Sequence, residues 1–214
     1  MPQIRAIVSD VGGVLIDFDY TRFFAYLAHI LNTRVSVARA LWTDKDSPSA
    51  LLYRFARGDF PLQGLWDGFE EKFGVRFTPE VEHDFRVLWM VGSEGLNAHT
   101  YQLLRSARAD HGVRLVSCTN VDPIHGEELR GPGEPLHGFF DAEVQSWQVG
   151  ALKPEPLMYA CALEMAQAAP RECLFLDDQR ENVEAARGLG MQAVHFTDAK
   201  SLAYDLAKLG LAPK

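Results

Sequence analysis

The chain has 214 residues, 47% of them hydrophobic and 23% charged, with a formal net charge of −8. That length carries one sizeable α/β domain, or one domain with an insertion, and enough apolar mass to fill a core without covalent staples. The acidic balance leaves no basic stripe to neutralise a nucleic-acid backbone, and no apolar run approaches the roughly 20 residues of a membrane span. Cys118, Cys161 and Cys173 form no C-x-x-C pair, so neither a disulfide framework nor a zinc knuckle is indicated. The first apolar run is interrupted by Arg5 and closed by Asp10, which does not read as a signal peptide, and a cytoplasmic enzyme is expected.

In chain order, residues 4–9 form the first β-rich run, near-continuously apolar as suits a strand buried on both faces. Residues 17–91 hold no convincing strand, and helical spacing recurs at 21–31, 62–73 and 80–90. Directly after the first strand, such a segment sits at the carboxyl end of a sheet, where ligands bind in open α/β folds, so it reads as an inserted lid. A helix is expected at 97–110, a strand at 113–118, a weaker alternating strand at 139–144 and a helix at 156–167. A strand at 173–176, a helix at 181–189, a strand at 192–196 and a helix at 201–209 complete the order. Strands alternating with helices imply right-handed crossovers and a doubly wound parallel sheet. The expected organisation is an α/β core of residues 1–16 and 92–214 with a helical cap at 17–91.

Four short stretches carry chemistry. Asp10 ends the first strand and is followed closely by Gly12 and Gly13, so its carboxylate can attack phosphorus, although an aspartate before two glycines is equally a turn. Thr119 and Asn120 end the second strand and offer a hydroxyl and an amide to phosphate oxygens, a pair that alone is more often a helix cap. Lys153 precedes Pro154 and Pro156, and a rigidly presented ammonium offsets the charge of nucleophile and phosphate; alone it is a surface lysine. Asp177 and Asp178 end an apolar strand, where adjacent carboxylates repel unless a cation is present, and carboxylates with water are the ligand set of magnesium. Helix capping accounts for one of the two acids and less well for both.

In this order, each at the end of a strand, the four stretches resemble the haloacid dehalogenase-like superfamily, whose motifs are an aspartate after the first strand, Ser/Thr-Asn, Lys-Pro and a terminal acidic pair. The likeness is nearest to its helical-cap phosphatases, particularly the α-D-glucose-1-phosphate phosphatase branch, which opens with Asp-x-Gly-(Gly/Asn)-Val. In the cap, Arg57-Gly58-Asp59 is the familiar stretch. The resemblance implies a Rossmann-like core and a magnesium-dependent phosphatase that forms an aspartyl-phosphate on Asp10. It makes Asp10 nucleophile and metal ligand, Asp178 a second direct ligand, and Asp177 a ligand through water, with the Gly12 carbonyl also on the metal. Thr119 and Asn120, with Gly12 and Gly13, would hold the phosphoryl group, and Lys153 would clamp it. The partner implied is a small phosphate monoester, a sugar phosphate among the candidates; monomer and homodimer are both left open.

One departure stands out. Most phosphatases of the superfamily carry a second aspartate two residues after the nucleophile, as general acid and base, where this chain has Gly12. A glycine keeps the backbone carbonyl for the ion and loses the acid, whose help is worth roughly a hundred- to ten-thousand-fold. The loss matters least for leaving groups that need little protonation, such as an anomeric hydroxyl, and Gly12→Asp would help poor leaving groups most. Two rival readings are a metal-independent 2-haloacid dehalogenase-type hydrolase, which the acidic pair disfavours, and a catalytically silent phosphate-binding module. Asp17 and Asp19 read as turn or capping residues and His125 as a solvated or capping histidine. Arg22 and Arg57 are candidates for the non-reacting part of the substrate, and Trp42, Trp66 and Trp89 for helix contacts.

Overall fold

Four consecutive buried residues, Ala-Ile-Val-Ser, make β1 (Ala6–Ser9) in the computed structural model, which describes residues 3–45, 47, 50–128, 131 and 134–214. β2 (Ile16–Phe18) follows, then five helices: α1 (Thr21–Ile30), α2 (Val35–Thr43), α3 (Leu51–Arg57), α4 (Leu62–Phe73) and α5 (Pro79–Val91). The chain continues through β3 (Ser93–Leu96), α6 (Ala98–His111), β4 (Arg114–Thr119), α7 (Pro123–Glu128), β5 (Ala142–Gln145) and α8 (Ser146–Val149). It ends with α9 (Pro156–Ala166), β6 (Cys173–Asp177), α10 (Arg180–Gly188), β7 (Gln192–His195) and α11 (Ala199–Lys208).

The main sheet is parallel throughout, in the order β5-β4-β1-β6-β7, with Ser9 level with Ser117 on one side and Leu176 on the other. Alternation of side chains sends Ile7, Leu115 and Leu174 to one face, against Leu104 and Ala107 of α6 and Leu202 and Leu206 of α11. Val8, Val116 and Phe175 go to the other face, against Met158, Tyr159 and Ala162 of α9 and Ala186 of α10. Helices therefore cover both faces, as a parallel sheet requires. Parallel strands also bring their carboxyl ends to one rim, which gathers Asp10, Asn120 and Asp178 from distant sequence. The Asp10 amide donates to the Leu176 carbonyl at 2.8 Å and locks the tip of β1 against β6.

Two expectations need correction. The weak strand at 139–144 lies later, at Ala142–Gln145, because Phe139 precedes it in a loop, stacked on Tyr101 with its carbonyl held by Arg108. Ile16–Phe18 and Ser93–Leu96 form a two-stranded antiparallel ribbon with a bulge between Asp17 and Phe18, so a strand reaches into the segment expected to hold none. Both strands are too short for alternation to be legible, and they flank the whole helical segment.

The five helices between β2 and β3 surround their own cluster, in which Phe23, Phe55, Phe69, Phe85 and Trp89 are buried. Trp66 is buried there too, and Trp42 is partly buried against it. Contact with the sheet side is close at Gly58, where φ is +85° and an added Cβ would lie 2.2 Å from the Trp147 carbonyl oxygen. Ser146 Oγ donates to the Ala56 carbonyl at 2.7 Å beside it. Gly58→Ala is expected to lower the unfolding free energy by about 1 kcal/mol or more in urea denaturation. Gly74→Ala is the comparison, with φ at +68° but open space around the Cβ position, and it should lose less. Among the described residues no helix is long and apolar enough to cross a membrane.

Candidate active site

Lys153 organises the rim. Its side chain is 1% exposed, and Nζ lies 2.8 Å from Asp10 Oδ2 and 2.7 Å from Asp177 Oδ2. The local sequence explains part of this through the prolines around it, but Asn120 fixes the backbone. Lys153 N–H donates to Asn120 Oδ1 at 2.7 Å, and Asn120 Nδ2 donates to the Lys153 carbonyl at 3.1 Å. The Asn120 amide thus positions the Lys153 backbone through both its oxygen and its nitrogen. Asn120 and Thr119 both line the cavity.

The two acids of the terminal pair differ sharply. Asp177 is fully buried, with Oδ2 on Lys153 and Oδ1 accepting from the Gln179 amide and from Asn182 Nδ2, each at 2.9 Å. Asp178 is half-buried, and its Oδ1 is shielded from solvent without a hydrogen-bond partner among the described residues. Gly13 makes room for it: an added Cβ there would meet Asp178 Oδ2 at 2.6 Å, and φ is +72°. Asn182 was visible in the sequence five residues after Asp177, one turn into the helix, but only the fold shows that it steadies the acid.

Carboxylate oxygens of Asp10, Asp177 and Asp178 all lie within 4.8 Å of one another. Three carboxylates against one ammonium leave two negative charges, which one divalent cation would offset. The strain shows in their protonation. Burial pushes the Asp10 carboxyl up to about 7, against the pull of Lys153 and with Asp177 adding to the rise. Burial and then Asp177 also raise Asp178. Burial disfavours the Lys153 charge, but Asp10 and Asp177 outweigh it and hold the ammonium above its ordinary range. An orphaned buried oxygen, a charge deficit of two and an all-oxygen donor set fit a hard divalent cation.

Above the rim lies a cavity of about 710 Å³, floored by Asp10, Thr119 and Asp178 and walled on the helical side by Tyr20, Trp42 and Trp89. Gly12 and Gly13 line it too. An added Cβ at Gly12 would stand 3.1 Å from the Phe18 ring, so an aspartate there must first displace that ring by a few tenths of an ångström. Asp17 lines the cavity, whereas Asp19 accepts the Thr21 amide at 2.8 Å at the start of α1. Arg57 pairs with Glu155 and Asp59, and neither Arg22 nor Arg57 lines the cavity. His125 departs furthest from expectation: it is 3% exposed, and Nδ1 lies 2.8 Å from the buried Asp122 Oδ2. A lone histidine five residues after Asn120 gave no sign of that partner.

Phosphatase MT3486 of Mycobacterium tuberculosis is 40% identical over 193 residues, covering 89% of this chain and 86% of that protein. Bifunctional epoxide hydrolase 2 of Rattus norvegicus is 40% identical over 74 residues, which is 35% of this chain but spans only 13% of that protein. A HAD family enzyme of Bacteroides thetaiotaomicron, crystallised with magnesium and inorganic phosphate, superposes with a TM-score of 0.72 at 20% identity, over 91% of this chain and 95% of that one. At that identity the likeness is one of fold. The sequence pattern of the haloacid dehalogenase-like hydrolases matches residues 4–190, from β1 through α10, and the chain belongs to that family.

Proposed function

We propose that this hydrolase is a magnesium-dependent phosphatase acting on a small phosphate monoester, with Asp10 as nucleophile. The observation that carries the reading is the contrast at the rim: Lys153 is clasped by Asp10 and Asp177, while Asp178 Oδ1 is buried with no partner. The printed name of the mycobacterial relative and the magnesium and phosphate of the Bacteroides enzyme support the same reading. Residues 17–91 act as a cap over a core of 1–16 and 92–214, closing the cavity from water during turnover. Three free thiols suit a reducing, cytoplasmic setting.

Asp10 Oδ bonds to phosphorus as the ester oxygen departs, and water then hydrolyses the aspartyl-phosphate. Lys153 orients Asp10, offsets its charge and faces the charge of the transferring group. Asn120 holds the lysine backbone in place, Asp177 holds its ammonium, and Thr119 with the Gly12-Gly13 turn receives the phosphoryl oxygens. A magnesium ion held by Asp10 and Asp178 with the Gly12 carbonyl, and by Asp177 through water, would neutralise charge on the phosphoryl group.

A panel of phosphate monoesters and 2-haloacids, assayed with magnesium and with chelator, tests this. Magnesium-dependent phosphate release is expected, falling by roughly a thousandfold or more in Asp10→Asn. Halide release that survives chelation would replace the reading with a dehalogenase one.

A further inference from the structure

A second polar cluster faces the same cavity, and the mechanism above leaves it without a role. Asp122 and His125 are 2% and 3% exposed. Asp122 Oδ1 accepts the Ile124 amide at 2.9 Å, and Oδ2 accepts Trp89 Nε1 at 2.9 Å and faces His125 Nδ1 at 2.8 Å. On the other side of the ring, His125 Nε2 lies 3.2 Å from the Trp89 carbonyl oxygen and 3.5 Å from Tyr20 Oη. A carboxylate and a carbonyl can only accept, so each ring nitrogen faces an acceptor. Burial opposes ionisation of Asp122, yet His125 and the hydrogen bonds around it hold the carboxyl below its ordinary range. With an N–H at Nε2, aimed at the Trp89 carbonyl, the neighbouring Tyr20 hydroxyl accepts and its own proton is left for the cavity that Tyr20 lines.

Position supports a use for that proton. The Phe18 ring lies 3.1 Å from where a side chain at Gly12 would begin, and Tyr20 stacks on Phe18 with centroids 5.3 Å apart. Tyr20 is thus on the same wall as the vacant acid position, one ring further out. Burial alone gives no reason for an ion pair here, since a buried pair is often no better for stability than apolar residues of the same volume.

We propose that Tyr20 donates a proton to the departing ester oxygen, with Asp122 and His125 as positioning residues that hold its hydroxyl. Resting on Asp10 as nucleophile, the balance is simple. As the Asp10–phosphorus bond forms and the phosphorus–ester oxygen bond breaks, that oxygen takes the Tyr20 proton and leaves as an alcohol. The water that later attacks the aspartyl-phosphate returns a proton to Tyr20, releasing phosphate and the free Asp10 carboxylate. Burial, with Asp122 adding to it, holds the phenol above its ordinary range. Such a donor serves a strongly basic alkoxide and is of no use to a weakly basic nitrophenolate.

The test is therefore dependence on the leaving group. Tyr20→Phe keeps the ring and removes only the hydroxyl. It is expected to cut kcat by roughly a hundredfold on alkyl phosphates and less than about twofold on 4-nitrophenyl phosphate. His125→Gln should show the same pattern more weakly, and the double variant should be no worse than Tyr20→Phe. Equal losses on both substrate types, or none on alkyl phosphates, would overturn the proposal, and Tyr20→Phe alone decides it should His125→Gln not fold. Asp10→Asn reports separately on the nucleophile, because its loss removes turnover of every ester alike.

Discussion

Lys153→Met will lower kcat by roughly a hundred- to a thousandfold or more and destabilise the fold by about 3–5 kcal/mol. The ammonium is wholly buried, with Asp10 Oδ2 at 2.8 Å and Asp177 Oδ2 at 2.7 Å. Methionine matches the length of the stem but leaves two carboxylates facing each other in the absence of solvent. That is the costly half of a buried ion pair, since the unpaired charge must be neutralised or hydrated. The double variant Lys153→Met/Asp177→Asn removes one of those charges and should recover part of the stability with none of the activity. Urea denaturation and phosphate release read the two effects separately. A single variant as stable as the parent would mean that Lys153 is not held as described.

Asp178→Asn will do the reverse to stability. In the metal-free protein, Asp178 Oδ1 has no donor, and burial together with Asp177 already disfavours its charge. An amide removes that charge, so the chelated variant should unfold about 1 kcal/mol less readily than the parent. The parent should be stabilised by added magnesium through mass action, and the variant should lose most of that shift. Turnover falls by roughly a hundredfold or more, in keeping with the several kcal/mol that a bound cation supplies. Thermal melts across a magnesium titration, at one pH, give both numbers. A full magnesium shift in the variant would place the cation elsewhere.

How far the sequence reaches can be judged from particular residues. β1, β4 and β6 were legible because each is a run of buried residues bounded by polar ones, and burial on both faces leaves a continuous apolar signature. Asp10 and Asp178 stood out because each directly follows such an element, and Lys153 because Pro154 and Pro156 follow it at the start of α9. The ribbon of β2 and β3 was not, because the two partners are three and four residues long and the whole helical segment lies between them. The hold of Asn120 on Lys153 was hidden for a related reason: its partners are the backbone groups of a residue 33 positions away, which no local pattern encodes. Asp122 and His125 were hidden for the same cause, since their meaning comes from Trp89 and Tyr20, brought to them by tertiary contacts alone.

The strand order has a bearing on how the molecule is made. β1 precedes both of its sheet neighbours, β4 and β6, residues 114–119 and 173–177. A nascent polypeptide therefore carries an apolar strand with two open edges until β4 emerges, and the second edge closes only once β6 has followed. Such long-range pairing slows folding and invites association between unfinished copies. The strand that ends at Asp10 thus gains from chaperone shelter on the ribosome.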